Sequence, residues 1–239
     1  MTETMRANTK ARILALFAKA EDPAVTEAEA EAYNAKAYEL IARHGLDQAR
    51  LRAELGAKAA RDELTVKTIK LSGKYLTDQL LLMAGIGKAF RMQFLQKGRD
   101  EVVAFGFESD IERLEMLFSS LWLQASAKVA KTPTPFGENR VRFVKSFLAH
   151  FTRTVYKRLE AAEKHAEDEA AGYGLVVRDQ GKNTVDFMKQ WLKEQGIRTS
   201  KTRVGRSNSG KESGTAAGRT ADIGQTKVGG GRLQIGSGR

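Results

Sequence analysis

The chain has 239 residues, no cysteine and a formal net charge of +11. Without cysteine there is no disulfide framework, no thiol nucleophile and no zinc site built on thiolates. His44, His150 and His165 stand too far apart to share a helical metal face, so no metal and no cofactor is expected.

In chain order, Met5–Glu21 has a helical pattern, with Ile13, Leu14 and Phe17 on one face. Lys and Arg interrupt its apolar residues, so it does not read as a targeting signal. Asp22-Pro23 breaks it, and Thr26-Glu27-Ala28-Glu29 has the form of a capping box that opens a second helix through Tyr33, Ala37, Leu40 and Ile41. Gly45 is placed as its C-cap, and Asp47 opens a short third helix to about Ala59. Val66–Leu71 is half-alternating and β-branched, which predicts a strand, and Tyr75–Phe90 returns to helix. Arg91–Gln96 and Glu101–Phe107 flank Lys97-Gly98-Arg99-Asp100, turn chemistry for a β-hairpin. The longest apolar run, Leu80–Gly87, is far short of the roughly 20 residues a membrane span needs. A soluble, cytoplasmic protein that does not engage membranes is therefore expected.

Ser109-Asp110-Ile111-Glu112 reads as a second capping box, opening a helix striped by Ile111, Leu114, Leu117, Phe118, Leu121, Trp122 and Ala125. Lys131-Thr132-Pro133-Thr134-Pro135 is a stiff connector to a long helix over 139–171. On that helix Val144, Phe147, Leu148, Phe151, Val155 and Leu159 share one side, and Arg142, Lys145, Arg153, Lys157 and Lys164 the other. No acidic residue occurs between Asn139 and Leu159; Glu160, Glu163 and Glu167 join the polar face beyond it. Gly172-Tyr173-Gly174 is a stop, Leu175–Val177 reads as a short strand, and Thr184–Glu194 as a final helix ended by Gly196.

The charge excess is concentrated at the end. Residues 197–239 carry nine basic and two acidic side chains, +7 of the +11, with ten of the 22 glycines and no aromatic residue. Such a segment buries too little apolar area to order itself, and basic arms of this kind bind polyanions. Gly205–Lys211 fits the GxxxxGK pattern of a phosphate loop. Glu212 stands where a magnesium-ligating Ser or Thr is needed, however, and no apolar strand precedes it, so the match is coincidental.

Ile13–Ala18, Thr26–Ala30 and Ala37–Leu46 together resemble a small helical domain of unknown function found in bacterial proteins, notably actinobacterial ones, and in phages and prophages. Val103–Gly106, Phe143–Leu148 and Ala216–Gly224 are similar to pieces of a companion domain often joined to it. The resemblance implies a bacterial or phage setting and no known activity or catalytic residue. The recurring Ala216–Gly224 piece suggests that 197–213 is a flexible linker while 214–235 docks onto the body.

The fold expected is α+β and predominantly helical: an N-terminal helical hairpin (1–60), a companion domain with a small β-hairpin or sheet packed with long helices (61–196), and a basic, partly disordered tail (197–239). The leading function is a non-catalytic accessory protein that binds DNA or RNA through phosphates. Arg142, Lys145, Arg153, Lys157 and Arg158 form a rigid surface, and Arg198, Lys201, Arg203, Arg206, Lys211 and Arg219 a mobile arm. Phosphate contacts position without reading sequence, so no base preference is implied. The rivals are a protein-interaction module acting through the helical hairpin, and an enzyme whose site assembles only in the fold, around the β-hairpin or His150.

Overall fold

The computed structural model describes residues 3–20, 22, 24–26, 29–30, 32–33, 36–37, 40–41, 62–169, 174–199 and 208–223. Among them are six helices of defined bounds, further helical residues between Glu29 and Ile41, and one three-stranded sheet. The fold is α+β and predominantly helical, as the patterning predicts.

Helix α1 is Glu3–Ala20. Ile13 is fully buried and Phe17 partly so, but Leu14 is half-exposed and does not share their face. The predicted capping box forms in full. Thr26 Oγ1 accepts from the Glu29 N–H at 3.3 Å, while a Glu29 carboxylate oxygen accepts from the Thr26 N–H at 3.0 Å and from its hydroxyl at 2.7 Å. The hydroxyl bond, then the N–H bond, holds the Glu29 carboxyl below its ordinary pKa. The described residues from Glu29 to Ile41 are helical, and Ala37 and Ile41 are buried. Gly45 and the predicted helix from Asp47 to Ala59 lie outside the described residues.

Strand β1 (Leu64–Lys70) leads into helix α2 (Leu76–Ala89), then strands β2 (Gln93–Lys97) and β3 (Glu101–Phe107). All pairing is antiparallel in the order β1-β3-β2, with Leu64 opposite Phe107, Gln93 opposite Phe105, and Lys97 opposite Glu101 across the predicted hairpin turn. As the central strand, β3 is buried from Val102 to Phe107. Side chains alternate across a sheet: Val102 and Ala104 join the main core, and Phe105 meets Trp191 and Phe187 edge-on from the opposite face, at 5.3 and 6.5 Å between ring centroids.

Helix α3 (Glu108–Lys131) begins one residue before the predicted cap, and its N-cap, Phe107, makes no side-chain cap bond. Ser109 is already helical. Asp62, fully buried and 47 positions earlier, accepts from the Ser109 N–H at 3.0 Å and from its hydroxyl at 2.8 Å. A carboxylate from the approach to β1 thus accepts from the Ser109 N–H, the donor that the predicted capping box assigned to the Glu112 side chain. The predicted apolar stripe of α3 is buried apart from the partly buried Phe118 and Trp122.

Helix α4 (Arg140–Glu169) is followed by helix α5 (Gly174–Glu194). Leu175–Val177 is therefore helical, not a strand. Two β-branched valines cost a helix only about 0.5 kcal/mol each, too little to interrupt one that continues for five turns. Gly196 ends α5 with a positive φ of 65°; the Ile197 N–H reaches back to Leu192 O at 3.0 Å and the Gly196 N–H to Lys193 O at 3.2 Å.

Helix α6 (Lys211–Thr220) lies within the basic tail and packs along α4. Over 214–223 the expected docking is seen, as a helix that starts three residues earlier, inside the segment expected to be linker; 224–235 lies outside the described residues. Ala217, Ala221 and Ile223 are buried with it. No described helix is long and apolar enough to cross a membrane.

Candidate polyanion-binding surface

The amphipathic pattern of α4 translates directly into its placement. Phe143, Phe147 and Phe151 recur every four residues and form a buried ladder, with ring centroids 6.5 Å apart at each step. Val144, Leu148, Val155 and Leu159 complete the inward face. Ring burial fixes the helix about its axis, and so determines which side chains remain outside. Asn139 caps the helix by accepting from the Arg142 N–H at 3.1 Å.

The outward face carries Arg142, Lys145, Arg153 and Lys157, all exposed. Among the described residues none of the four makes a salt bridge. Lys145 is close enough to Asp78 to influence it. Burial is the larger effect and raises the Asp78 carboxyl above its ordinary pKa, while Lys145 pulls it back down.

Helix α6 packs against the phenylalanine side of α4 through glycine. Gly210, Gly214 and Gly218 recur every four residues and match the phenylalanine ladder in register. A Cβ at Gly210 would lie 2.6 Å from Phe143 O, one at Gly214 2.2 Å from Phe147 O, and one at Gly218 2.9 Å from Phe151 O. Only hydrogen in place of a side chain lets the two backbones come this close. The glycine and lysine that mimicked a phosphate loop, Gly210 and Lys211, thus start a helix whose glycines serve packing. Lys211 and Arg219 are exposed on α6, and Arg198 is exposed just beyond α5.

Arg158 has a different role from its predicted one. It is partly buried, and its Nη1 donates to Gly218 O at 2.9 Å and to Ala221 O, closing the carbonyl end of α6. Burial lowers its pKa, and the nearby Asp222 opposes that shift. The Asp222 N–H in turn donates to Gln124 Oε1 of α3 at 3.0 Å. Lys201, Arg203 and Arg206 lie outside the described residues.

Glu163 also departs from the solvated face assigned to it. It accepts from Arg113 Nη2 at 2.6 Å, while Asp110 accepts from Nη1 at 3.3 Å and the guanidinium lies 4.0 Å from the Phe90 ring centroid. Arg113 is 5% exposed. Burial works against its charge, but Glu163 and then Asp110 outweigh it and leave the pKa raised. Nothing in the sequence announces this triad, because Arg113 and Glu163 are 50 positions apart.

At the β-hairpin, apolar side chains meet glycine. The Phe94 ring lies against Gly87 and the Met92 side chain against Gly106. His150 engages Ser146 O through Nδ1 at 2.8 Å within its own helix. A cavity of about 310 Å³ lies elsewhere, between the loop before α2 and the facing sides of α3 and α4, with Tyr75, Gln79, Trp122 and Leu148 in its wall. Gln79 Nε2 ties that loop by donating to Ser72 O at 2.7 Å and Lys74 O at 2.9 Å. Among the described residues no group of three or more His, Asp or Glu side chains is placed to hold a metal ion.

Residues 8–48 match a family described as a protein of unknown function (DUF2786). This agrees with the resemblance carried by the N-terminal helices and places a domain of unknown function at the start of the chain. No curated protein matches the chain. No solved structure matches it either.

Proposed function

We propose that this protein binds nucleic acid through its phosphates, using the outward face of α4 extended by α6. The observation that supports it most is the run from Arg142 to Lys157: four exposed cations on one rigid helix, no carboxylate within the run, and no salt bridge to any of the four among the described residues. A solvated helix face ordinarily mixes signs, which gains intrahelical ion pairs. A single-sign face forgoes that gain and is suited to a polyanion, where each contact releases condensed counterions. Lys211 and Arg219 add to the same side of the argument, since α6 is held against α4 by a seam with no room for slippage.

The test is a salt titration of binding to labelled oligonucleotides, single-stranded and duplex. The expected non-specific Kd is about 10⁻⁴–10⁻⁶ M at physiological salt. Replacing Arg142, Lys145, Arg153 and Lys157 together by glutamine should lower the slope of log K against log salt by roughly 3 to 4 on duplex. The same change at Lys97 and Arg99, exposed on the hairpin turn, should leave it unaltered. An unchanged slope in the fourfold variant sinks the assignment to α4.

A further inference from the structure

The connector between α3 and α4 holds a side chain that neither folding nor phosphate binding explains. Phe136 is completely exposed, at 107% of its reference area, and Val141, five positions on in α4, is 52% exposed. A lone exposed aliphatic residue is ordinary. Phe136 is distinguished by the rigidity of its mount.

Pro135–Glu138 is a β-turn closed by the Glu138 N–H donating to Pro135 O at 3.1 Å, with Gly137 at φ +80° in the position that needs a positive φ. Phe136 occupies the corner of that turn. Arg140 then clamps the connector from inside: Nη1 donates to Thr132 O at 2.8 Å and to Thr134 Oγ1 at 3.1 Å, and Nη2 to Val129 O at 2.6 Å. Its guanidinium also lies 5.6 Å from the Phe143 ring, at the top of the buried ladder. Pro133 and Pro135 remove further backbone freedom. The backbone that carries the aromatic ring is therefore ordered by the fold, so that this part of the cost of binding is already met.

The surroundings select its partner. From Lys128 to Lys145 the chain carries Lys128, Lys131, Arg140, Arg142 and Lys145 against one carboxylate, Glu138. The turn leads directly into the α4 cation run, so a strand whose phosphates follow that run passes the Phe136 ring. Every base offers a π-face, and an aromatic ring next to a cationic track is how single strands are held without sequence readout. We propose that Phe136 is a stacking platform for an unpaired nucleobase, and hence that the preferred ligand is single-stranded nucleic acid. This rests on the phosphate-binding reading of α4.

The experiment compares the full-length protein with F136A and F136W on an oligothymidine of about 15 nucleotides and on a duplex of equal length. The wild type should prefer the single strand. F136A should weaken single-strand binding by roughly 10-fold, within the about 5- to 150-fold that loss of one stacked base produces, with duplex binding and the salt slope unchanged. F136W should retain the preference, and all three should melt together because the side chain makes no core contact. Single-strand binding by F136A equal to wild type, with a normal salt slope, overturns the stacking inference and leaves the phosphate reading standing. Absence of any salt-dependent binding by the wild type overturns the phosphate reading itself. Loss by F136A of a stoichiometric protein captured from nuclease-treated lysate, with oligonucleotide binding intact, reassigns the turn to a protein contact and likewise overturns the proposal.

Discussion

Replacing Gly214 by alanine gives the sharpest test of how α6 is held. The added Cβ would stand 2.2 Å from Phe147 O, against the 3.4 Å at which ordinary van der Waals contact begins, a shortfall of 1.2 Å. Both Phe147 C and Cα would lie at 2.8 Å, so the obstruction is backbone of α4 and no rotamer change relieves it. Overpacking of this kind costs about 2–3 kcal/mol in the upper part of its usual range. Alanine returns about 1 kcal/mol of helix propensity, leaving a net destabilisation of about 1–2 kcal/mol. A free or loosely attached α6 gives the opposite sign, because a Gly→Ala change in an exposed helix stabilises it by about 1 kcal/mol. Urea denaturation reports the global effect, and amide hydrogen exchange over 211–220 reports whether the helix separates locally. Ala216, exposed on the same helix, supplies the control: Ala216→Gly should cost about 1 kcal/mol through propensity alone. A G214A protein as stable as wild type, with protection over 211–220 unchanged or increased, would refute the close-packed seam.

Other expectations follow from the buried polar contacts. Arg113→Ala should destabilise the protein by about 3–5 kcal/mol in urea melts, because it strands Asp110 and Glu163 beside each other without their shared cation. Arg113→Met, which keeps the bulk against Phe90, should cost less only when combined with E163Q. Asp62→Ala should cost about 1–2 kcal/mol by leaving the Ser109 N–H without its acceptor, measured as a shift in urea midpoint at unchanged m-value. Burial raises the Asp78 carboxyl pKa above its ordinary 3.8. The native state therefore holds that proton more tightly than the unfolded chain, so the contribution of Asp78 to stability declines as pH rises from 3.8 through the raised value and is level above it. Asp78→Asn should remove this component, so that its stability relative to wild type improves between pH 4 and pH 7 in parallel urea titrations. A difference that is flat with pH, or of opposite slope, would contradict burial as the dominant effect.

Several of the chain's features were fixed by contacts only a few residues long. The Thr26–Glu29 box closes over three positions, the Lys97–Glu101 hairpin over four, and the inward face of α4 repeats every turn. Each is legible because local hydrogen-bond geometry and helical period need no knowledge of the rest of the molecule. The same local patterning isolated the cation run Arg142–Lys157, since fixing the apolar side of a helix fixes its opposite.

Tertiary structure decided whatever depended on distant partners. Ser109 looked like a cap until Asp62 arrived from 47 positions away, and Glu163 looked solvated until Arg113 met it across 50. Arg158 looked like one more surface cation, but it closes α6 through the carbonyls of Gly218 and Ala221. The recurring Ala216–Gly224 piece announced that the tail docks, but not how. The tail's glycines, read along the chain, mean entropy and disorder; set against Phe143, Phe147 and Phe151 they mean close approach. Composition sums over residues without regard to order, whereas docking depended on glycine at every fourth position meeting a helix with the same repeat. That match is a property of two segments together.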